Sequence, residues 1–277
     1  MSTITGHRHS PARATAPSSR RSGALAALPR LARRLVTATG TREIGLLAGL
    51  WIFYTFSRLV ADDNLAVARS RAADILHLEA LLHLDVEASI NRAVAPVMDI
   101  AVPMSFWYAT LHYVVTPAVL AFLFFWHRAE YPRARNAIVI GSAIGLVCYI
   151  LFPTAPPRLM PGSHYLDALA MTSGQGWWGG DASAPAALGH ITNELAAMPS
   201  LHVGWTVWVA WALWRHANVV GRAIVTLYVA GTTFVVLATG NHWVLDALAG
   251  AVVIALGILV SGRIASRDPA DLTTTNP

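Results

Sequence analysis

Six stretches of this chain are apolar for close to the length of a bilayer's hydrocarbon core: about 43–61, 104–126, 136–152, 201–217, 221–238 and 243–262. An α-helix needs roughly 20 such residues to cross about 30 Å of hydrocarbon. In lipid, every backbone N–H and C=O of a lone span must find its partner within that span, which only a helix provides. The runs therefore predict an all-α fold, a polytopic membrane bundle of about six transmembrane helices. Composition agrees, with 55% hydrophobic and only 13% charged residues, against roughly 25% charged in soluble domains. The single cysteine, Cys148, sits inside an apolar run, so an intrachain disulfide is excluded.

Residues 1–42 are rich in Arg, Ser, Thr, Ala and Pro and read as a disordered basic tail. Pro29 and Arg30 break its one short apolar stretch, which argues against a cleaved secretion signal. Residues 43–266 read as one membrane-embedded domain and 267–277 as a second disordered tail. Within the domain, 153–200 is a long outer loop, read as a lid over a headgroup pocket, with Trp177 and Trp178 at the membrane interface. Residues 64–84 place Leu65, Ala72, Ile75, Leu76, Leu78, Leu81 and Leu82 near helical spacing with charges between them. That is an amphipathic helix, either lying on the outer membrane surface or packed as a cap on the bundle.

Every basic residue is arginine, and the arginines sort by loop. With the N-terminus inside, the cytoplasmic face holds the tail, then Arg128, Arg133 and Arg135, then Arg215 and Arg222, then Arg263 and Arg267. The other face holds Arg58, Arg69, Arg71, Arg92 and Arg158. This bias sets the expected topology of a plasma-membrane protein with a cytoplasmic N-terminus. The net charge of +5 thus speaks of topology, and no nucleic acid partner is expected.

Three polar stretches then meet at the outer interface: "LFPTAPPRLMPG" with Arg158, "AAMPSLHVGW" with Ser200 and His202, and "ATGNHWVLDALAGA" with His242 and Asp246. His242 and Asp246 stand at i,i+4, on one helix face. The carboxylate can accept the Nδ1–H of the imidazole and leave Nε2 free as a nucleophile or base. As a plain alternative, they form a satisfied polar pair at a helix end, although ionisable groups inside a span point to function by default. Ser200 reads as an N-cap, and the helix start behind it offers free N–H groups to an anion. His202 is an interfacial polar residue or a second reagent. Arg158 is a snorkelling arginine or a planar fork for phosphate oxygens. Together they are equipment for phosphoryl transfer through a phosphohistidine. Tyr108 and His112, at i,i+4 in the second span, either line the pocket or belong to the core.

At these residues the sequence resembles the type 2 phosphatidic acid phosphatase superfamily. "PSLH" at 199–202 is similar to that family's Pro-Ser-Gly-His motif. His242 and Asp246 match the end of its third motif, and "APPR" ending in Arg158 resembles a divergent first motif. The match covers about residues 43–262 in layout. The "APPR" and "MPSLH" stretches look like the inositol phosphorylceramide synthase-like (inositolphosphotransferase) branch. The departures are Leu151 at the first lysine, Leu159 at the following proline, Leu201 at the glycine, and Val235 and Val236 at the Ser-Arg pair.

The resemblance implies that His242 is the nucleophile, that Asp246 orients it, that His202 is the general acid, and that Arg158 binds phosphate, assisted by Ser200 and Asn241. It implies no metal and no cofactor. The expected substrate is a membrane lipid carrying a phosphate, phosphodiester or pyrophosphate headgroup at the outer leaflet. The acceptor is water, or inositol or another alcohol. Two rival readings stand beside it. His242, Asp246 and His202 could ligate zinc in a metal-dependent hydrolase, or the polar residues could line the path of a non-enzymatic transporter or scaffold.

Overall fold

The computed structural model describes residues 38–60, 64–162, 165–178 and 194–265. The two expected tails fall almost entirely outside these residues, as does 179–193 of the long outer loop. The chain divides into two units, Met1–Leu47 and Ala48–Pro277. Helix α1, Ala38–Val60, begins in the first and ends in the second. The rest of the second unit contains α2 (Leu65–Leu81), α3 (Glu87–Val94), α4 (Met98–Trp126), α5 (Tyr131–Leu151), α6 (Ala168–Met171), α7 (Leu201–Leu213), α8 (Val219–Ala238) and α9 (Val244–Ala265). The fold is all-α, as expected.

Four described helices are long and apolar enough to cross a membrane: α4, α5, α8 and α9. The expectation of six spans is corrected here. The 201–217 stretch forms α7, whose 13 residues give a rod of about 20 Å, short of the hydrocarbon thickness. The stretch 43–61 is helical in α1 but is not among the four. Helix α7 is a central element rather than a lipid-facing one. Trp208 is fully buried and donates its indole N–H to the Ala134 carbonyl at 2.8 Å, while Trp205 donates to Ser142 Oγ at 3.0 Å. Apolar side chains stand exposed on α8 (Val220, Ile224, Leu227, Phe234) and on α9 (Leu248, Val252, Leu259), where hydrocarbon is the fitting solvent.

Helix α9 packs against α5 and α7. At the α7 contact the backbones nearly touch: a β-carbon on Gly250 would collide with the Ser200 carbonyl oxygen. Small residues at such a crossing let membrane helices approach until main chains meet. The Ser200 N–H in turn donates to the Asp246 carbonyl at 2.8 Å. The two helices that carry the histidines are therefore joined main chain to main chain.

The 64–84 helix is a cap. Ala68 and Ala72 are fully buried and join Trp243, Ala155, Leu195 and Ala197 in one apolar cluster. Arg69 donates to the Leu159 carbonyl and Arg71 to the Pro153 carbonyl, which fastens α2 over the 153–200 loop. Leu78, Leu81 and Leu82, expected on the apolar face, are exposed instead; the buried face is the one that carries the alanines. The described parts of the 153–200 loop are folded. Thr154 pairs with Ala196 in an isolated parallel bridge. Trp178 is also corrected: it is buried, edge-on to Phe106, with its indole N–H on the Leu169 carbonyl. Trp177 is the partly exposed member of the pair.

Candidate active site

Helices α7 and α9 start side by side, and their first turns supply most of the site. Ser200 is the N-cap of α7, as its sequence predicts, with its Oγ taking the Val203 N–H at a long 3.5 Å. The Gly204 N–H goes to the Ser200 carbonyl, so Leu201 and His202 carry the remaining donors of that turn. At α9 the capping is acidic. Asp246 reaches back so that Oδ2 accepts the Trp243 N–H at 2.8 Å, the reach of a capping-box residue. The next two N–H groups, of Val244 and Leu245, donate to Glu87 Oε1 at 2.8 Å and Glu79 Oε1 at 2.7 Å. Three acidic side chains from three helices thus hold three successive donors of one helix end.

His242 is buried just before this turn. Its Nδ1 lies 2.8 Å from the Ala197 carbonyl oxygen and 3.5 Å from Asp246 Oδ2. A carbonyl oxygen only accepts, so the neutral ring carries its proton on Nδ1 and keeps the Nε2 lone pair. The sequence reading gave this task to Asp246. The structure divides it, because Asp246 Oδ2 is already committed to the Trp243 N–H. Ala197 takes the shorter bond, and the carboxylate lies alongside as a charge.

His202 stands next to His242, with 5.8 Å between ring centroids. Tyr108 stacks on His202 at 4.2 Å and His112 meets it edge-on at 4.3 Å. Both residues of the second span therefore belong to the group around the two histidines. Among the described residues, buried His202 Nε2, His112 Nδ1 and Asp246 Oδ1 accept or donate no hydrogen bond.

The phosphate-binding candidates are placed less simply. The Arg158 N–H donates to the Gly240 carbonyl at 2.9 Å, two positions before His242. Gly240 makes that turn at φ +74°, and a β-carbon there would lie 2.8 Å from the Leu166 carbonyl oxygen. The Arg158 guanidinium faces Asp167 at 3.2 Å and Glu194 at 3.7 Å. A phosphate would have to compete with both acids. Asn241 is buried, with its amide nitrogen on Thr239 Oγ1 at 2.9 Å. Val235 and Val236 are buried in the core and Leu151 is exposed, so these positions bring no cation to the histidines.

The sequence reading missed Glu79, Glu87 and Asn91, all fully buried. Asn91 pairs with both backbone groups of Leu166 and donates to the Ala238 carbonyl at 2.8 Å, which ties α3 to the end of α8. A signal was present, since Glu79 shares the helical face of Ala68 and Ala72. Burial pushes the Glu79 carboxyl up to about 8. The Leu245 N–H opposes that shift, while Glu87 and Asp246 add to it. Tyr165, close to the same carboxylates, is pushed up to about 12, again chiefly by burial.

Among the described residues, the donor atoms that converge closely enough for one metal ion belong to His127, Glu130 and His216, and not to His202, His242 and Asp246. A family model described as the PAP2 superfamily matches residues 73–260. No curated protein and no solved structure matches the chain.

Proposed function

The chain belongs to the PAP2 superfamily, and from that premise we propose an integral membrane phosphatase or phosphotransferase that acts on a lipid phosphate or phosphodiester group. One observation carries the reading: the Nδ1 of His242 is held by an oxygen that can only accept, beside a buried carboxylate. Attack by Nε2 on phosphorus would make the ring an imidazolium. The Ala197 carbonyl and Asp246 stand where they stabilise that charge without moving.

In the proposed cycle the Nε2–P bond forms as the P–O bond to the leaving group breaks. His202 gives its proton to the departing oxygen. Water or an alcohol such as inositol then attacks phosphorus, the new P–O bond forming as the Nε2–P bond breaks, and His202 takes the proton of the attacking hydroxyl. Arg158 and the first-turn N–H groups of α7 would hold the remaining phosphate oxygens. The scarcity of cations favours a singly charged phosphodiester over a doubly charged monoester or a pyrophosphate. The arginine bias supports the reading of a site at the outer leaflet of the plasma membrane.

The test is a panel of lipid monophosphates, pyrophosphates and phosphodiesters, offered to purified protein in detergent with and without inositol. Products are read by mass spectrometry. Turnover of at least one class is expected, lost in His242→Ala. Inositol-containing product would establish transfer. No turnover of any class by a monodisperse sample would overturn the reading.

A further inference from the structure

At the far end of the bundle, three chain segments close on one another where α4, α5 and α7 end or begin. His127 caps the C-terminus of α4, Glu130 precedes the first turn of α5, and His216 follows α7. The ligating atoms of all three lie within 4.8 Å of one another. His216 Nε2 is 3.3 Å from Glu130 Oε2, and the rings of His127 and His216 lie 3.8 Å apart. Phe122 packs against both rings, at 4.7 and 5.8 Å, as an apolar wall. We propose that His127, Glu130 and His216 form a binding site for a zinc-like divalent ion that clips these helix ends together.

Two neutral imidazoles and a carboxylate are a zinc donor set, leaving a fourth position to water. With bonds of 2.0–2.1 Å, neighbouring donors of a tetrahedral ion stand ~3.4 Å apart. The His216–Glu130 pair already has that spacing, and the His127 donor lies within 4.8 Å of both. A cation would take the place of the proton that otherwise joins His216 Nε2 to Glu130 Oε2, and would take a His127 nitrogen as well. The neighbouring cation Arg128 is occupied elsewhere, its guanidinium over the Phe124 ring at 4.2 Å.

The site is separate from the histidines at the other end. Helix α4 rises about 22 Å between His112 and His127, at 1.5 Å a residue. The ion would therefore act on the packing of the bundle, not on a phosphate held at His242. Pairing across the ends of three helices gives it stability through binding to the folded state alone.

The experiment uses full-length protein purified in detergent without a polyhistidine tag. Zinc is titrated calorimetrically, and cobalt(II) is titrated with its visible ligand-field spectrum recorded. About one equivalent of zinc, a tetrahedral cobalt spectrum and a raised Tm reversed by chelator are expected. His127→Ala, His216→Ala and Glu130→Gln should each lose the tight binding phase, while His77→Ala, an exposed histidine on α2, should keep it. Size-exclusion profiles show whether each variant is folded, and the wild-type stoichiometry stands without them. Absence of binding by wild type would overturn the proposal. So would unchanged binding in the folded variants, or loss of it in His202→Ala/His242→Ala instead.

Discussion

The rings of His202 and His242 stand 5.8 Å apart between centroids, each fixed by a different helix start. The proposed chemistry gives them opposite duties, and these can be separated by mutation.

His242→Ala should abolish turnover and leave the fold intact, since the ring makes one hydrogen bond outside its own turn. Incubation with labelled lipid phosphate, followed by an alkaline quench in which a phosphoramidate survives, should trap label on wild type. Equal label on His242→Ala would move the nucleophile elsewhere. Asp246→Asn should cost less, because the Ala197 carbonyl still holds the tautomer.

His202→Ala should discriminate between leaving groups. An alkoxide needs a proton as it departs, whereas an activated aryl oxide does not. General acid catalysis is worth about 10²–10⁴-fold, and the ratio of rates on the two substrates should change by that order. An equal loss on both substrates would make His202 a binding or structural residue.

Gly250→Ala should disrupt the bundle at the site. Its β-carbon would meet the Ser200 carbonyl oxygen, a backbone atom that cannot swing aside. Overpacking of this kind typically costs about 1–3 kcal/mol, and separation of α7 from α9 would also part the histidines. A large fall in kcat with a lowered Tm is expected; wild-type activity at unchanged Tm would show that the helices can part without consequence.

Glu79→Gln should alter how stability depends on pH. The Glu79 carboxyl titrates near 8 in the fold and near 4.5 when exposed. Its contribution is therefore full below about 4.5 and is lost as pH rises towards 8. Glu87, Asp246 and Tyr165 face it, so deprotonation adds charge to an already acidic group. Glutamine still accepts the Leu245 N–H and does not ionise. The Tm of wild type, measured against that of Glu79→Gln, should drop across this window. A constant difference between the two would remove Glu79 as the titrating group.

The outer-face assignment is tested with Gln175→Cys in a Cys148→Ala background. Gln175 is exposed, so a membrane-impermeant maleimide should label intact cells. Labelling only after permeabilisation would place the site on the inner leaflet.

The all-α membrane architecture was legible in the sequence, because a bilayer leaves an apolar run of that length little choice but to be a helix. The meeting of "PSLH" with "NHWVLD" was legible too, since both open apolar helices at one expected membrane depth, although each imidazole alone also reads as an ordinary polar residue at a helix end. Ser200 as N-cap followed from local chemistry alone. The tertiary structure decided what depends on the approach of remote segments. A run of apolar residues does not say whether it faces lipid or other helices, and so 201–217 reads as a span although α7 is a short central rod. The partner of His242 Nδ1 is a backbone carbonyl, and every residue has one, so no side-chain pattern could point to Ala197. Glu79 reads as one of the charges between the apolar positions of the 64–84 helix, and neither its burial nor that of Glu87 is visible until α9 supplies the two N–H groups that they accept. The convergence of His127, Glu130 and His216 likewise exists only once three helix ends are packed together.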